Sequence, residues 1–244
     1  MSKKKKVYFF DTYKYLRCFN PDLFISTRFG DVTEVPQVPT IVKSRPVQPD
    51  NANSILMKLN EIRHFLFVHD PIKFEHKKDL LVFRGKVYQK HRERFLEIYH
   101  GHPLCNVGQI NKPAKNPNWE VEYMSIKQQL EYKYILCLEG NDVASNLKWV
   151  MSSNSLAVMP VPRFETWFME GMLIPDYHFV TIKNDYSNLE EKLTYFTANP
   201  HKAKQIIANA QRFVAQFNNK KQERIISLLV LKKYFEKTGQ AIGL

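Results

Sequence analysis

The clearest pattern of the chain is YILCLEGNDVASNLKWVMSSNSLAVM, residues 134–159. Its apolar run over Tyr134–Leu138 predicts a buried strand, and the polar residues 139–142 that follow predict a loop. A helix is predicted over about Ser145–Ser153, and a second apolar run over Ser155–Met159 predicts another buried strand. Strand, helix and strand in this order are typical of an α/β fold with a mainly parallel sheet.

The rest of the chain continues this alternation of short strands and longer helices, and it contains no internal repeat. Strands are predicted over Val7–Phe10, Leu23–Ser26, Phe65–Val68, Leu80–Phe83 and His178–Ile182. Helices are predicted over Asp50–Arg63, Tyr88–Tyr99, Leu189–Asn199, Ala203–Phe217 and Lys221–Lys237. The proline-rich residues 36–49 predict a loop or an edge segment, and Gly108–Trp119 predicts a linker. Two α/β sets on either side of a linker predict two α/β lobes.

The composition excludes several classes of protein. With 244 residues, 44% of them hydrophobic, the chain can bury a sizeable core and carries no signature of disorder. No run of 18 apolar residues occurs, and the basic run Lys3–Lys6 has no long apolar segment behind it, so neither a membrane span nor a secretory signal peptide is predicted. The scattered Cys18, Cys105 and Cys137 predict a reducing compartment, and a cytoplasmic protein is expected.

The charge of the chain predicts the kind of partner. Lysine and arginine number 36 against 24 acidic residues, which gives a net charge of +12 and a pI near 9.5. A basic surface indicates an anionic partner. A nucleic acid, an acidic membrane and a phosphorylated small molecule all satisfy that requirement, and charge alone does not choose among them.

Two segments combine the end of a predicted strand with residues suited to an anion, which is where ligands of open α/β sheets bind. Arg84 and Gly85 form the first pair, because a guanidinium binds phosphate oxygens with two nitrogens and a glycine lets the backbone approach a ligand. The second segment is the loop over residues 139–148, which is rich in small and polar side chains. The alternative interpretation of the first segment is a solvated surface arginine, and that of the second segment is an ordinary capped turn.

A third segment, Arg163–Gly171, places Glu165 and Glu170 among aromatic residues, where carboxylates can accept hydrogen bonds from sugar hydroxyls. An amphipathic helix with Trp167 and Phe168 in the core is the alternative. The sequence contains no DxD, HExxH, GxSxG, GxGxxG or P-loop motif, and no Cys/His cluster with metal spacing. Metal-dependent hydrolysis and serine hydrolase chemistry are therefore not expected.

The segment 131–149 resembles the signature of glycosyltransferase family 90. Three further segments agree with the family in the same order, namely 83–85 (FRG), 152–156 (SSNSL) and Trp167–Asp185. The resemblance covers about residues 80–217. It is strongest toward the bacterial branch of the family, whose members extend the core of lipopolysaccharide.

The resemblance implies a GT-B fold, in which two Rossmann-like lobes hold the sugar donor in the cleft between them. Residues 1–115 are expected to form an acceptor-side lobe, 116–218 a lobe that binds a UDP-sugar, and 219–244 a C-terminal helix. Family 90 also implies an inverting transfer that uses no metal and no other cofactor, in agreement with the missing DxD motif. Such a reaction needs a base at the acceptor hydroxyl and positive charge at the departing diphosphate.

The resemblance also assigns roles to individual residues. Arg84 matches an arginine that faces the phosphates, and Gly140 and Ser145 match the donor-binding turn. Many members carry an arginine two residues after this serine; it is missing here, so Lys148 is expected to supply the charge. Asp31 is the expected catalytic base, displaced by two residues from the family pattern, with a loop-capping aspartate as the alternative. The complete set of expected donor contacts is Arg84, Gly85, Gly140, Asn141, Asp142, Ser145, Lys148 and Glu165.

The expected substrates are a UDP-hexose, carrying glucose or galactose, and the inner core of lipopolysaccharide or lipooligosaccharide. Phosphates and acidic sugars of that core suit a basic enzyme. Lys3–Lys6, beside Tyr8, Phe9 and Phe10, favour a peripheral position on the anionic cytoplasmic face of the inner membrane, with a solvated tail as the alternative. The rival function is a non-enzymatic nucleic-acid-binding protein. No RRM, KH or helix-turn-helix pattern supports it, so no nucleic acid is expected as a partner.

Overall fold

The computed structural model describes residues 3–240, with side chains from residue 7 onward. Its first elements are α1 (Lys3–Leu16), β1 (Thr27–Arg28), β2 (Thr40–Val42), β3 (Ser44–Pro46), β4 (Ser54–Leu56), α2 (Glu61–His64), β5 (Lys78–Gly85), α3 (Lys90–Tyr99) and β6 (Cys105–Gln109). They are followed by α4 (Ile126–Gln129), β7 (Tyr132–Leu136), α5 (Leu147–Met151), β8 (Leu156–Met159), β9 (Phe164–Thr166), β10 (Val180–Thr181), α6 (Leu189–Ala198), α7 (Pro200–Ala215) and α8 (Lys220–Lys237).

Five parallel strands form the larger sheet, in the order β6-β5-β7-β8-β10. The chain adds β6 on one side of β5, and adds β7, β8 and β10 on the other side. The direction in which the sheet is built therefore reverses between β5 and β7. In open α/β sheets, ligands bind outside the carboxyl ends of the strands at such a reversal.

Both faces of the larger sheet are covered, which explains why its central strands are almost wholly buried. Tyr134 and Leu136 of β7 enter a core with residues of α3 and α6, whereas Ile135 and Cys137 enter the opposite core with residues of α5. Alternate residues of a strand point to opposite faces. A strand that is buried on both faces therefore appears in the sequence as a continuous apolar run.

Three short parallel strands, in the order β1-β2-β4, form a second sheet. Its central strand β2 is completely buried at Ile41 and Val42. Helices α1 and α8 contact each other and contribute to the same apolar core as these two residues. The hydroxyl of Tyr234 in α8 also accepts a hydrogen bond from the backbone N–H of Ser26, at 2.9 Å. The C-terminal helix thus completes the N-terminal sheet.

A two-stranded antiparallel ribbon joins the two parts of the molecule. Strand β3 pairs with β9, and Arg45 lies opposite Glu165 in this register. The two side chains form an ion pair, in which the Nε of Arg45 donates to Oε1 of Glu165 at 2.7 Å.

The predicted α/β class with parallel sheets is confirmed, and the predictions for the second half are the most accurate. The predicted strands over Leu80–Phe83, Tyr134–Leu138 and Ser155–Met159 correspond to β5, β7 and β8. The predicted last helix, Lys221–Lys237, corresponds to α8. In the described part of the chain, no helix is both long and apolar enough to span a membrane.

Several predictions for the first half are wrong. The run Val7–Phe10 belongs to helix α1, because Tyr8 and Tyr15, seven residues apart, share the face that enters the core. Asp50–Arg63 contains β4 and most of the short α2 instead of one helix, and Ile62 in α2 is 88% exposed, so it packs in no apolar core.

The predicted strands over Leu23–Ser26 and Phe65–Val68 are also wrong, and the predicted loop and linker contain strand residues. Leu23–Ser26 and Phe65–Val68 are irregular segments, and β1 begins directly after the first of them. The proline-rich residues 36–49 contain β2 and β3, so part of this segment is central rather than a loop or an edge. The predicted linker Gly108–Trp119 begins inside β6. The two sheets divide between β4 and β5, earlier than residue 115; the lobe boundaries at residues 115 and 218 stay predictions.

Candidate active site

A cavity of about 270 Å³ lies beyond the carboxyl ends of β7 and β8. Its wall is mostly apolar and includes Val143 and Ala144 of the loop that follows β7. Glu139, Arg163 and Asn184 add polar groups to this wall. An apolar cavity with a few polar groups at this end of a parallel sheet is the usual form of a small-molecule site.

Arg92 of α3 ties the ends of β5 and β7 together beside this cavity. Its guanidinium donates to the carbonyl of Lys86, after β5, at 2.7 Å. It also donates to the carbonyls of Leu138 and Glu139, after β7, at 2.7 and 2.8 Å. Burial lowers the pKa of Arg92 to about 10. The arginine is still charged at neutral pH and places a fixed positive charge at the reversal of the sheet.

Glu139 fixes the start of β9 and holds an arginine at the cavity. Its carboxylate accepts from the backbone N–H groups of Arg163 at 2.8 Å and Phe164 at 3.2 Å. The same carboxylate accepts from Nε of Arg163 at 2.8 Å, yet the arginine side chain is 62% exposed. Arg163 therefore presents a guanidinium to any anion that enters the cavity.

The fold brings Asp31 next to the loop that follows β7. Its partner in that loop, Asn141, lies 110 residues further along the chain. Lys43 lies between two carboxylates, and its Nζ is 2.6 Å from Oδ1 of Asp31 and 2.6 Å from Oδ2 of Asp142. The side-chain amide of Asn141 donates to Oδ2 of Asp31 at 3.1 Å and accepts from Gln89 at 2.9 Å. Lys43 and Asp142 are buried, whereas the Asp31 side chain is 39% exposed.

Local packing explains the position of Asp31. Gly30 adopts φ 124°, a conformation that favours glycine, and turns the chain after β1. The ring of Phe29 stacks on Tyr8 of α1 with centroids 5.5 Å apart. After Asp31, the N–H of Val32 donates to the hydroxyl of Ser44, and that hydroxyl donates back to the carbonyl of Val32, both at 3.1 Å. The loop is thus fastened to β3 on one side and to α1 on the other.

The charges of this cluster determine its protonation. Burial raises the pKa of the Asp31 carboxyl, but the hydrogen bond and charge of Lys43, with smaller contributions from Asn141 and Arg63, together lower the net pKa. Burial lowers the pKa of Lys43, and the charges of Asp142 and Asp31 raise it above its ordinary value. Both groups are therefore ionised at neutral pH.

His64 lies buried near the same cations. Burial, followed by the positive charges of Lys148, Lys43 and Arg63, lowers its pKa to about 2. Neither ring nitrogen has a hydrogen-bond partner among the described residues. The imidazole is therefore neutral throughout the physiological range.

Arg84 is bound to protein groups on every side. Its guanidinium donates to the carbonyls of Phe83, Asn106 and Glu122 at 2.8–3.1 Å, and to the side-chain oxygen of Asn106 at 2.7 Å. Gly85 is required by space, because an added Cβ would lie 2.4 Å from the Phe83 ring. In this arrangement, Arg84 holds β5 to β6 and to the segment before α4, and it is not among the residues that line the cavity.

Gly140 and Ser145 lie in the loop after β7, as predicted from the sequence. An added Cβ at Gly140 would meet only Nη2 of Arg92, at 3.7 Å, so this position is open. Ser145 is half-buried, and its hydroxyl takes part in no side-chain hydrogen bond within residues 3–240. Neither residue lines the cavity, to which this loop contributes Glu139, Val143 and Ala144.

Lys148 and Glu165 are engaged in buried ion pairs. Lys148 forms one with Glu170, and each side chain is only 1% exposed. Glu165 is paired with Arg45 in the ribbon of β3 and β9. Neither Lys148 nor Glu165 lines the cavity at the ends of β7 and β8, although Glu170, the partner of Lys148, does.

Sequence reasoning missed Lys43, Arg92 and Arg163. Lys43 stands in a segment interpreted as a loop, and Arg92 stands in a helix where an arginine is normally solvated. The one available signal was the position of Arg163 at the start of the segment that contains Glu165 and several aromatic residues. Within residues 3–240, no group of three His, Cys, Asp or Glu side chains is placed to hold a metal ion.

Comparison with known proteins identifies the family. The family model described as Glycosyl transferase family 90 matches residues 57–235. The O-glucosyltransferase LpsA of Dichelobacter nodosus is 48% identical over 233 residues, which are 96% of this chain and 73% of that protein. The uncharacterized protein 179R of Invertebrate iridescent virus 6 is 30% identical over 101 residues, 38% of this chain and 8% of its own length. The uncharacterized protein 027R of Frog virus 3 is 26% identical over 122 residues, 48% and 12% of the two chains. This chain belongs to glycosyl transferase family 90 and is a glycosyltransferase.

Proposed function

We propose that this enzyme transfers a hexose from a UDP-sugar to the inner core of lipopolysaccharide or lipooligosaccharide, with inversion and without a metal ion or cofactor. Membership of the family supports the glycosyl transfer. The relative from Dichelobacter nodosus carries the name O-glucosyltransferase, which favours glucose over galactose as the hexose. The absence of a DxD motif from the sequence favours a donor that is held without a metal.

The observation that carries this proposal is the position of Asp31. Its carboxylate is partly exposed and is hydrogen-bonded to Asn141, while Val143 and Ala144 of the same loop line the cavity. A general base must be ionised and within reach of the proton that it removes. Lys43 keeps Asp31 ionised at neutral pH and orients it.

In the proposed reaction, Asp31 accepts the proton of the acceptor hydroxyl as that oxygen forms a bond to the anomeric carbon. The bond from this carbon to the UDP oxygen breaks on the opposite face, so the configuration inverts and UDP leaves with the bonding electron pair. Arg163 stabilises the charge that develops on the diphosphate. Gly140, Asn141, Asp142 and Ser145 remain the proposed donor contacts, whereas Arg84, Gly85, Lys148 and Glu165 are assigned to packing.

The proposal also covers the arrangement of the two lobes and the position of the enzyme in the cell. We propose a GT-B arrangement, supported by two parallel sheets and by a C-terminal helix that returns to the N-terminal sheet. We also propose a peripheral position on the cytoplasmic face of the inner membrane, supported by the exposed Phe9, Phe10 and Tyr13 of α1. The side chains of Lys3–Lys6, on which that position was also predicted, lie outside those that the structure describes.

Calorimetry and a transfer assay test the proposal together. UDP should bind in the presence of EDTA, in preference to ADP and GDP. Asp31→Asn should reduce transfer at least about 100-fold, because it removes the base, and should leave the affinity for UDP unchanged. Asp22→Asn, at an exposed position, is the matched control. Normal transfer by Asp31→Asn would exclude Asp31 as the base. Salt-sensitive RNA binding with no nucleotide preference would favour the nucleic-acid-binding alternative.

A further inference from the structure

A second and larger cavity, of about 520 Å³, lies between the N-terminal sheet and α8. It shares no lining residue with the cavity at the carboxyl ends of β7 and β8. Its volume falls inside the range of about 300–1,000 Å³ that is typical of small-molecule sites. The wall is mainly apolar, with contributions from Ile55, Leu56, Trp167, Phe217, Ile226 and Val230.

The charged groups of this cavity leave a positive excess. Arg45 is neutralised by Glu165, and the one carboxylate of the wall, Glu223, is neutralised by Lys58 at 2.9 Å. Lys233 and Lys237 also line the cavity, four residues apart on one face of α8. Both are exposed, and neither forms an ion pair within residues 3–240. Two uncompensated cations therefore stand beside an apolar wall.

A polar group without a partner lies in the same wall. Ser54 of β4 is completely buried, and its hydroxyl has no hydrogen-bond partner among the described residues. Its backbone carbonyl is already engaged, since it accepts from Nη1 of Arg45 at 3.1 Å. A hydroxyl left free in a buried wall marks a place where a ligand atom or a bound water completes the hydrogen bonding.

We propose that this cavity binds an amphipathic anion, which is a single alkyl chain that carries a carboxylate or a phosphate. The chain lies along the apolar wall, and the anionic group lies against Lys233 and Lys237. Burial of the alkyl chain provides most of the affinity, because each methylene group removed from water contributes to binding. The two lysines provide the selectivity for negative charge. This site uses none of the residues assigned to sugar transfer.

Trp167 in the wall offers a direct readout of binding. Dodecanoate and dodecyl phosphate, each kept monomeric, are titrated while tryptophan fluorescence and heat are recorded. Both anions should bind with one-to-one stoichiometry. Dodecanol and dodecyltrimethylammonium should bind at least about tenfold more weakly, because the lysines do not favour them. Inorganic phosphate should not bind, which separates an amphipathic site from a simple anion site. A preference between the two anions identifies the natural head group.

Three variants locate the ligand. Ala52→Trp, at an exposed residue of the lining, should block the cavity and abolish binding. Lys233→Gln combined with Lys237→Gln should weaken binding of the anions about tenfold and leave dodecanol unaffected. Lys220→Gln combined with Lys232→Gln removes the same charge from α8 outside the cavity and should change nothing. Unchanged UDP binding in all three variants shows that they are folded.

Other results would overturn the proposal. Failure of wild-type protein to bind either anion, or equal affinity for dodecanol and the anions, would exclude an anion site. A dimer that Ala52→Trp dissociates, in a protein that binds no amphiphile, would assign the cavity to a second copy of the chain. Sedimentation velocity of the wild-type and Ala52→Trp proteins detects that outcome.

Discussion

Replacement of Lys148 by methionine should destabilise the protein strongly without removing a donor contact. The Lys148 ammonium pairs with Glu170, and each side chain is only 1% exposed. Glu170 would keep the N–H of Thr166, at 2.6 Å, and its hydroxyl, at 3.0 Å, but would lose its only charged partner among the described residues. Removal of one partner from a buried pair costs about 3–5 kcal/mol. In a chain of this size that corresponds to a fall in Tm of roughly 6–20 °C.

The assay is urea unfolding followed by circular dichroism, for the wild type, Lys148→Met, Glu170→Gln and the double variant. Methionine keeps an unbranched chain between the rings of Phe65 and Phe168, which lie 5.9 and 5.3 Å from Nζ. The double variant leaves no unpaired charge at positions 148 and 170, so it should recover most of the lost stability. Together the four proteins form a double-mutant cycle, which gives the coupling free energy between Lys148 and Glu170.

Calorimetry with UDP, performed at a temperature where Lys148→Met is folded, completes the test. We expect an affinity equal to that of the wild type. Wild-type stability combined with loss of UDP binding would refute the reasoning, because Lys148 would then contact the donor instead of Glu170.

Three further predictions follow from the same geometry. Lys43→Met should raise the pKa of Asp31, since it removes the cation that lowers it, and should move the acid limb of the pH–rate profile to higher pH. His64→Leu should flatten the loss of stability between pH 6.5 and 5, measured by urea unfolding. His64 takes up a proton near pH 6.5 in the unfolded state but only near pH 2 in the folded state. At pH 5 this difference lowers the free energy of unfolding of the wild type by about 2 kcal/mol. Gly85→Ala should lower the Tm because its Cβ would overlap a ring, whereas Gly140→Ala should not.

Opposite results would contradict each prediction. An unmoved acid limb in a folded Lys43→Met variant would show that Lys43 does not control Asp31. Equal pH dependence in wild-type protein and His64→Leu would show that the imidazole is not kept neutral. Equal Tm values for the two alanine variants would show that the strand end at Gly85 has room for a side chain.

The second half of the chain could be predicted from its sequence because its strands are buried on both faces. Tyr134–Leu138 and Ser155–Met159 are continuous apolar runs separated by a short helix, and this pattern has few alternatives. Strand β2 shows the opposite case. Its three residues are stabilised by β1, β4, α1 and α8, and none of these contacts leaves a periodic signal near Ile41. Where tertiary contacts decide the conformation, local propensity is a weak guide.

The same distinction separates the predicted site residues from those that were missed. Asn141 and Asp142 follow a clear strand, and a parallel sheet places such residues at its ligand-binding edge. Lys43 and Arg92 have no such local context, because the partners that bring them to this edge, Asp142 and Leu138, lie about 100 and 46 residues away in the chain. Lys148 was expected to supply positive charge to the donor, in place of the arginine that many family members carry near this position. Its buried partner Glu170 lies in another element.

The return of α8 to the N-terminal sheet has a consequence for synthesis. The hydroxyl of Tyr234 binds the backbone of Ser26, 208 residues earlier, and Gln240 binds the backbone of Phe24 across 216 residues. Helix α1 and strands β1, β2 and β4 leave the ribosome before α8, and the part of α8 that covers them is made more than 150 residues after β4. Contacts of such long range form slowly. Strands β1, β2 and β4 therefore stay uncovered until α8 has been made, and exposed apolar strands of this kind are prone to aggregation during synthesis.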